Sequence, residues 1–283
     1  MSIRAREPRA VSSPVDPFLK WAGGKRRLRE QILDHLPPLA VGRRYFEPFL
    51  GGGAVFFALR PDRAVLTDAN PNLIDAFCAV RDEVDSVIAR LARLHNNADE
   101  YYRLRRARPR TQVARAARFI YLNKTCFNGL YRENLLGEFN VPFGRHGPNL
   151  CICDEPQLRA ASEALQTAEL RSMDFGGVIS RARAGDVLYL DPPYTVAHSN
   201  NGFVEYNARV FNWEDQARLA SAAARLVGRG AHVVVSNAYH PSILELYRKS
   251  GRFEVVELDR WSTVAGSSAK RMPTREIILV GRG

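Results

Sequence analysis

Val187-Leu188-Tyr189-Leu190 is a run of four apolar residues that breaks off at Asp191, and the same arrangement recurs along the chain. Arg44-Tyr45-Phe46-Glu47 ends at a Gly-rich turn, Ala64-Val65-Leu66-Thr67 ends at Asp68, and His232-Val233-Val234-Val235 ends at Ser236-Asn237. Each run has the length of a strand and is followed by helical periodicity, which predicts a parallel α/β sheet. Phe253-Glu254-Val255-Val256 and Glu276-Ile277-Ile278-Leu279-Val280 are expected to pair antiparallel at one edge. Ligands of open α/β sheets bind outside the carboxyl ends of the strands, so the polar residues that end these runs are expected to build one site.

The middle of the chain breaks the rhythm. From about Val80 to Leu170 the pattern is helical, then loop-like, then a predicted hairpin around Asn134-Leu135-Leu136-Gly137. The expected organisation is a lead-in over 1–17, a ligand-binding domain formed by 18–79 with 171–283, and an inserted helical domain over 80–170.

The insert also concentrates charge. Tyr101 to Arg132 contains no Asp or Glu but holds Arg103, Arg105, Arg106, Arg108, Arg110, Arg115, Arg118, Lys124 and Arg132. With a net charge of +11, this makes a polyanion a plausible partner, although basic runs also occur as solvated faces. No apolar run reaches the roughly 18 residues of a membrane span, and residues 1–17 lack the hydrophobic core of a signal peptide. A soluble, intracellular protein is expected. The cysteines at 78, 126, 151 and 153 have neither zinc-site nor disulfide-framework spacing, and the histidines form no pair at helical spacing; no metal is expected.

Three segments carry chemistry. In Glu47-Pro48-Phe49-Leu50-Gly51-Gly52-Gly53 the glycines allow a sharp turn or a close approach to a ligand. Paired with Asp68 at the end of the next strand, whose carboxylate can accept two ribose hydroxyls, the segment indicates an adenosine-containing ligand. Phe18-Leu19-Lys20-Trp21-Ala22-Gly23-Gly24-Lys25 lacks the first glycine and the Ser/Thr of a phosphate loop. Trp21 is either a core residue or a surface against an adenine or methionine group, and Lys25 either faces solvent or meets a carboxylate. In Asp191-Pro192-Pro193-Tyr194 the prolines fix the backbone and remove two N–H donors. An amino group on an aromatic ring presents two N–H donors in one plane, which the Asp191 carboxylate and the Pro192 carbonyl can both accept while Tyr194 stacks on the ring. Gripping both hydrogens localises the nitrogen lone pair for attack on an electrophilic methyl group.

Lys20 to Lys25, Glu47-Pro48-Phe49, Asp68, Tyr121 to Arg145 and Asp191 to Tyr194, taken together, resemble the DNA adenine methyltransferases of the Dam type, from about Phe18 to Val280. The most distinctive stretch holds Tyr121-Leu122-Asn123-Lys124, Phe127-Asn128-Gly129-Leu130 and Gly137 to Arg145. The resemblance implies a Rossmann-like sheet binding S-adenosylmethionine (SAM) through Trp21, Lys25, Glu47, Asp68 and Asp191, with Asp191, Pro192 and Tyr194 catalytic. It also implies an inserted recognition domain whose hairpin enters the major groove of double-stranded DNA. Arg132 would read guanine, Leu130 and Pro142 would press on thymine methyls, and Asn128, Asn134 and Arg145 would hold bases or phosphates. Lys20 would meet a flanking base and Lys124 the DNA. The implied target is an extruded adenine within GATC. The implied protein is a bacterial or phage-encoded monomer working at the nucleoid in the cytoplasm.

Two departures stand out: Phe127 occupies a position where the family often has Tyr, and His146 with Gly147-Pro148-Asn149 replaces a more basic, aromatic stretch. The loop from His198 to Trp213, with Phe203, Tyr206 and Phe211, could close over the target base or simply pack. Rival readings are SAM-dependent methylation of another planar amino group (in RNA, cytosine or protein glutamine) and a non-catalytic DNA-binding relative. Asp191, where such sites more often carry Asn or Ser, and the basic insert weigh against the first, and the intact motif set against the second.

Overall fold

The computed structural model describes residues 15–21, 23–134, 136–147, 149–195, 211–261 and 273–283. Most of the expected lead-in and residues 198–210 of the expected closing loop lie outside them, as does Leu135 of the predicted turn.

Among the described residues seven strands form one sheet: β1 Tyr45–Glu47, β2 Ala64–Asp68, β3 Ala168–Ser172, β4 Val187–Leu190, β5 His232–Ala238, β6 Glu254–Trp261 and β7 Pro273–Gly281. Their order is β3-β2-β1-β4-β5-β7-β6. The pairs β1/β2, β1/β4, β2/β3 and β4/β5 are parallel, whereas β7 runs antiparallel to both β5 and β6. The chain order reverses between β1 and β4, which puts the Gly-rich turn after β1 beside Asp191 after β4 at a topological switch point. The expected α/β class and antiparallel edge are therefore present. β3 was not anticipated from the sequence. It is an edge strand with only Ala168 buried, so Ala168-Glu169-Leu170-Arg171-Ser172 lacks the apolar run that marks the interior strands.

Strand alternation sorts the side chains into two cores. Phe46, Val65, Leu188, Leu190, Val233, Val235, Ile277 and Leu279 pack on one face, beneath α8 Phe175–Ile179, α9 Trp213–Gly228 and α10 Pro241–Arg248. Tyr45, Leu66, Tyr189, Val234 and Ile278 pack on the other, beneath the helices from α1 Arg29–Leu33 to α7 Glu155–Leu165. Glu47, Asp68, Asp191, Ser236 and Glu276 each lie two residues from a member of this second set. The same alternation brings all five to one face at one end of the sheet.

The middle of the chain supplies α3 Pro71–Asp82, α4 Val84–Leu91, α5 Ala98–Arg106 and α6 Gln112–Thr125. Phe77, Val80, Ile88, Leu91, Tyr101, Ile120 and Tyr121 belong to the same continuous apolar cluster as Tyr45 and Tyr189 of the sheet. The boundaries expected at 79/80 and 170/171 fall inside α3 and β3. The basic run is partly committed to this architecture. Arg115 pairs with Asp75, Arg118 donates to the Leu104 and Arg105 carbonyls, and Arg105 donates to the Val141 carbonyl. Among the described residues no helix is long and apolar enough to cross a membrane.

Candidate active site

A cavity of 480 Å³ opens at the switch point, lined among others by Trp21, Lys25, Glu47, Gly51, Asp68, Asp191, Pro192 and Tyr194. Its volume falls in the range of small-molecule sites. The structure thus gathers every SAM-site residue and every catalytic residue expected from sequence around one space.

Lys25 opens a short 3-10 helix after the Gly23-Gly24 turn, and it is buried. Its Nζ donates to the Gly23 carbonyl at 3.0 Å and lies 2.8 Å from Asp191 Oδ1 and 3.8 Å from Glu276 Oε2. Ser236 donates its hydroxyl to the same Asp191 Oδ1 at 2.8 Å, and Tyr189 shares a 2.7 Å hydrogen bond with Ser236. Asp191 is thereby held through one oxygen, while Oδ2 has no hydrogen-bond partner among the described residues. Burial raises the Asp191 carboxyl above the ordinary carboxylate range, and Lys25 and Ser236 oppose the rise. Tyr194 lies with its ring centroid 5.0 Å from Lys25 Nζ and donates its hydroxyl to Glu276 at 2.9 Å.

Asp68 accepts backbone N–H groups from Gly51 at 3.0 Å and Asn70 at 2.9 Å, one on each oxygen. A carboxylate oxygen has two lone pairs, so both retain capacity for a ligand hydroxyl. Glu47 is buried and accepts from the Tyr45 hydroxyl at 2.8 Å and the Phe56 amide at 3.1 Å. Trp21 is partly buried against the core. It stacks on Tyr131, centroids 5.6 Å apart, and on Phe119 at 6.4 Å, while still lining the cavity. Gly51 has a positive φ of 48°, and a Cβ there would stand 2.8 Å from Trp21 Cδ1. Only glycine lets the turn pass this close to the indole.

Of the residues expected to touch DNA, those from Asn128 to Arg145 lie along a segment folded back from the end of α6, while Lys124 is within α6 and Lys20 precedes the first strand. Phe127 donates its amide to the Pro142 carbonyl, and Glu133 and Phe139 form an isolated antiparallel bridge. Lys20, Asn128, Arg132, Asn134, Pro142 and Arg145 are exposed, and Leu130 is half-buried. Arg132 Nε donates to Asn140 Oδ1 at 2.8 Å. Asn134 is engaged in the turn: its Oδ1 accepts from the Leu136 and Glu138 amides and its Nδ2 donates to Glu138. Lys124 is half-buried, with Nζ 3.5 Å from Gln157 Oε1, and desolvation lowers its pKa. Asn123 ties this segment to the cavity by bonding both the N–H and the carbonyl of Lys20, at 2.8 and 2.6 Å.

Sequence reading placed Ser236 among the strand-end residues of the site without giving it a role, and it missed Tyr189 and Glu276. A signal for Glu276 existed, because an acid at the inward-facing register of Ile278 and Val280 is out of place in a core strand.

Residues 21–263 match the family model described as D12 class N6 adenine-specific DNA methyltransferase. The chain is 36% identical over 279 residues to a Type II methyltransferase of Lactococcus lactis subsp. cremoris, covering 94% of this chain and 95% of that protein. It is 39% identical over 247 residues to a Type II methyltransferase of Methanocaldococcus jannaschii, covering 80% and 85%. It is also 36% identical over 263 residues to the DNA adenine methylase of Escherichia coli strain K12, covering 90% and 92%. The cavity at the switch point and these extended matches converge: the chain belongs to the D12 class of N6 adenine-specific DNA methyltransferases.

Proposed function

We propose that the chain methylates the exocyclic amino group of an adenine extruded from double-stranded DNA, within the sequence GATC. The observation that carries the chemistry is the asymmetric engagement of Asp191. Lys25 and Ser236 fix Oδ1, and Oδ2 is left to accept one amino hydrogen. The Pro192 carbonyl accepts the other. Two acceptors in the plane of the amino group draw its lone pair out of conjugation with the ring. Burial of Asp191 makes Oδ2 a competent acceptor for the proton that the nitrogen must lose.

SAM supplies the electrophilic methyl group on a positively charged sulfur. The donor set of the cavity suits it. Asp68 offers acceptors for ribose hydroxyls, the Gly51 turn allows close backbone approach, and Trp21 offers an apolar face beside Lys25 and Glu47. An adenine within the duplex cannot reach Asp191, so the base must leave the stack, at a cost of a few kcal/mol that stacking on Tyr194 and the amino-group hydrogen bonds offset.

The target sequence is supported by the types and exposure of the recognition residues. With Nε held by Asn140, the two terminal nitrogens of Arg132 remain for guanine O6 and N7. Leu130 and Pro142 offer apolar contact to thymine methyls, and Asn128, Arg145, Lys20 and Lys124 offer polar or cationic contact to bases and phosphates. For Asn134 only outward contact from an already bonded amide is left. The experiment is methylation-sensitive sequencing of DNA from a methylation-free host expressing this chain. Methyladenine confined to GATC supports the proposal, methyladenine elsewhere corrects the site, and its absence refutes the function.

A further inference from the structure

Glu276 is a buried carboxylate on β7, in register with Ala238 of β5 and Leu258 of β6. Ile278 and Val280, which share its face, are buried and apolar. A carboxylate in that row carries a desolvation cost that an apolar residue would avoid. Its partners show what the cost sustains. Tyr194 donates its hydroxyl to Glu276 Oε2 at 2.9 Å, and Lys25 Nζ stands 3.8 Å from the same oxygen. The Lys25 cation also lies 5.0 Å from the Tyr194 ring centroid. A tyrosine side chain has two torsions, so anchoring the hydroxyl at one end and the backbone of Pro193-Tyr194 at the other fixes the plane of the ring.

We infer that Glu276 is a positioning residue for methyl transfer: it holds the Tyr194 ring at the tilt that receives the target adenine, and it shares the Lys25 cation with Asp191. The inference rests on the reading of Tyr194 as the surface on which the extruded base stacks. Burial, followed by the neighbouring Glu276 charge, raises the Tyr194 phenol above its ordinary range, so Tyr194 remains the donor of this hydrogen bond. Because β7 arrives last in the chain, the base-holding geometry is completed by a strand remote in sequence from Asp191 to Tyr194.

The test uses the full chain and transfer of tritiated methyl from SAM to an adenine-containing duplex, comparing Glu276→Ala, Glu276→Gln, Tyr194→Phe and the Glu276→Ala/Tyr194→Phe double variant. We expect kcat to fall roughly 10- to 100-fold in Glu276→Ala, the loss associated with a hydrogen bond to a charged group, with KM for DNA and SAM nearly unchanged. Glu276→Gln should recover part of the loss, because its amide oxygen still accepts from the phenol. The double variant should be no slower than the slower single variant. A duplex with 2-aminopurine at the target position should show wild-type extrusion but altered fluorescence quenching in Glu276→Ala. Wild-type kcat in Glu276→Ala, or losses that multiply in the double variant, would overturn the inference. If Glu276→Ala does not fold, Glu276→Gln and Tyr194→Phe decide: wild-type kcat in both overturns it. A wild-type chain that transfers no methyl to adenine would instead remove the underlying reading, an outcome distinct from an active enzyme indifferent to Glu276.

Discussion

Glu47→Gln should make the protein's stability less sensitive to pH. Burial pushes the Glu47 carboxyl up to about 8 from its ordinary 4.5; the hydrogen bonds from Tyr45 and Phe56 pull against the rise, and the Asp191 charge adds to it. A group whose pKa is higher folded than unfolded binds its proton more readily in the folded state. Its contribution is fully present below pH 4.5 and is lost as pH rises toward 8. Each pH unit in that window removes about 1.4 kcal/mol at most, so the step from pH 5.5 to 8 removes roughly 3 kcal/mol as an upper bound. Water entering the cavity that Glu47 lines should reduce this to roughly 1–2 kcal/mol. Glutamine is nearly isosteric and its amide oxygen can accept from both Tyr45 and Phe56, so the variant removes the titration and little else. Urea unfolding without ligand, at pH 5.5 and 8, gives four free energies. Asp68 and Asp191 titrate in both proteins and largely cancel in the difference. The expected result is a variant whose stability relative to wild type grows with pH. Parallel pH dependences for the two proteins would show that Glu47 is charged in the folded state at neutral pH and refute the reasoning.

Asp191→Ala should abolish methyl transfer while leaving most DNA affinity, since the residues proposed to contact phosphates lie elsewhere; turnover in the variant would remove Asp191 from its proposed role. Arg132→Ala should relax discrimination at one base pair by roughly 1–3 kcal/mol, read from methylation rates on singly substituted duplexes; an unchanged preference would show that Arg132 does not read a base. Gly51→Ala places a methyl group 2.8 Å from Trp21 Cδ1 at a positive φ. We expect a destabilisation of roughly 1–3 kcal/mol with weakened SAM binding by calorimetry, and wild-type values for both would mean that the turn relaxes freely.

Most of the sheet was legible because β1, β2, β4 and β5 are interior strands, buried enough to read as apolar runs. β3 was not, since a half-exposed edge strand such as Ala168 to Ser172 leaves no such run. Asp191 and Lys25 were visible as members of local motifs, each within a few residues of a proline pair or a glycine pair. Ser236 and Glu276 act through pairing across the sheet, with Ser236 reaching Asp191 from β5 and Glu276 reaching Tyr194 from β7. Their roles emerge only when strand register is known. Charge was the least legible property of the insert. Arg105, Arg115 and Arg118 look in sequence like part of one basic face, yet each is bound to a carbonyl or carboxylate within the fold.

Trp21 links two regions that a linear reading separates. One side of the indole meets Gly51 of the cavity wall, and Tyr131, next to Arg132, stacks on it. Asn123 holds Lys20, its immediate neighbour, by both backbone polar groups. On the proposed function, a duplex that shifted Tyr131 would move a wall of the cavity proposed for the cofactor, and a cofactor that shifted Trp21 would move the segment proposed to read bases. Thermodynamic reciprocity makes these two effects equal in free energy. Whatever factor the duplex applied to cofactor affinity, the cofactor would return to the duplex, with the indole as the shared wall of the two proposed sites.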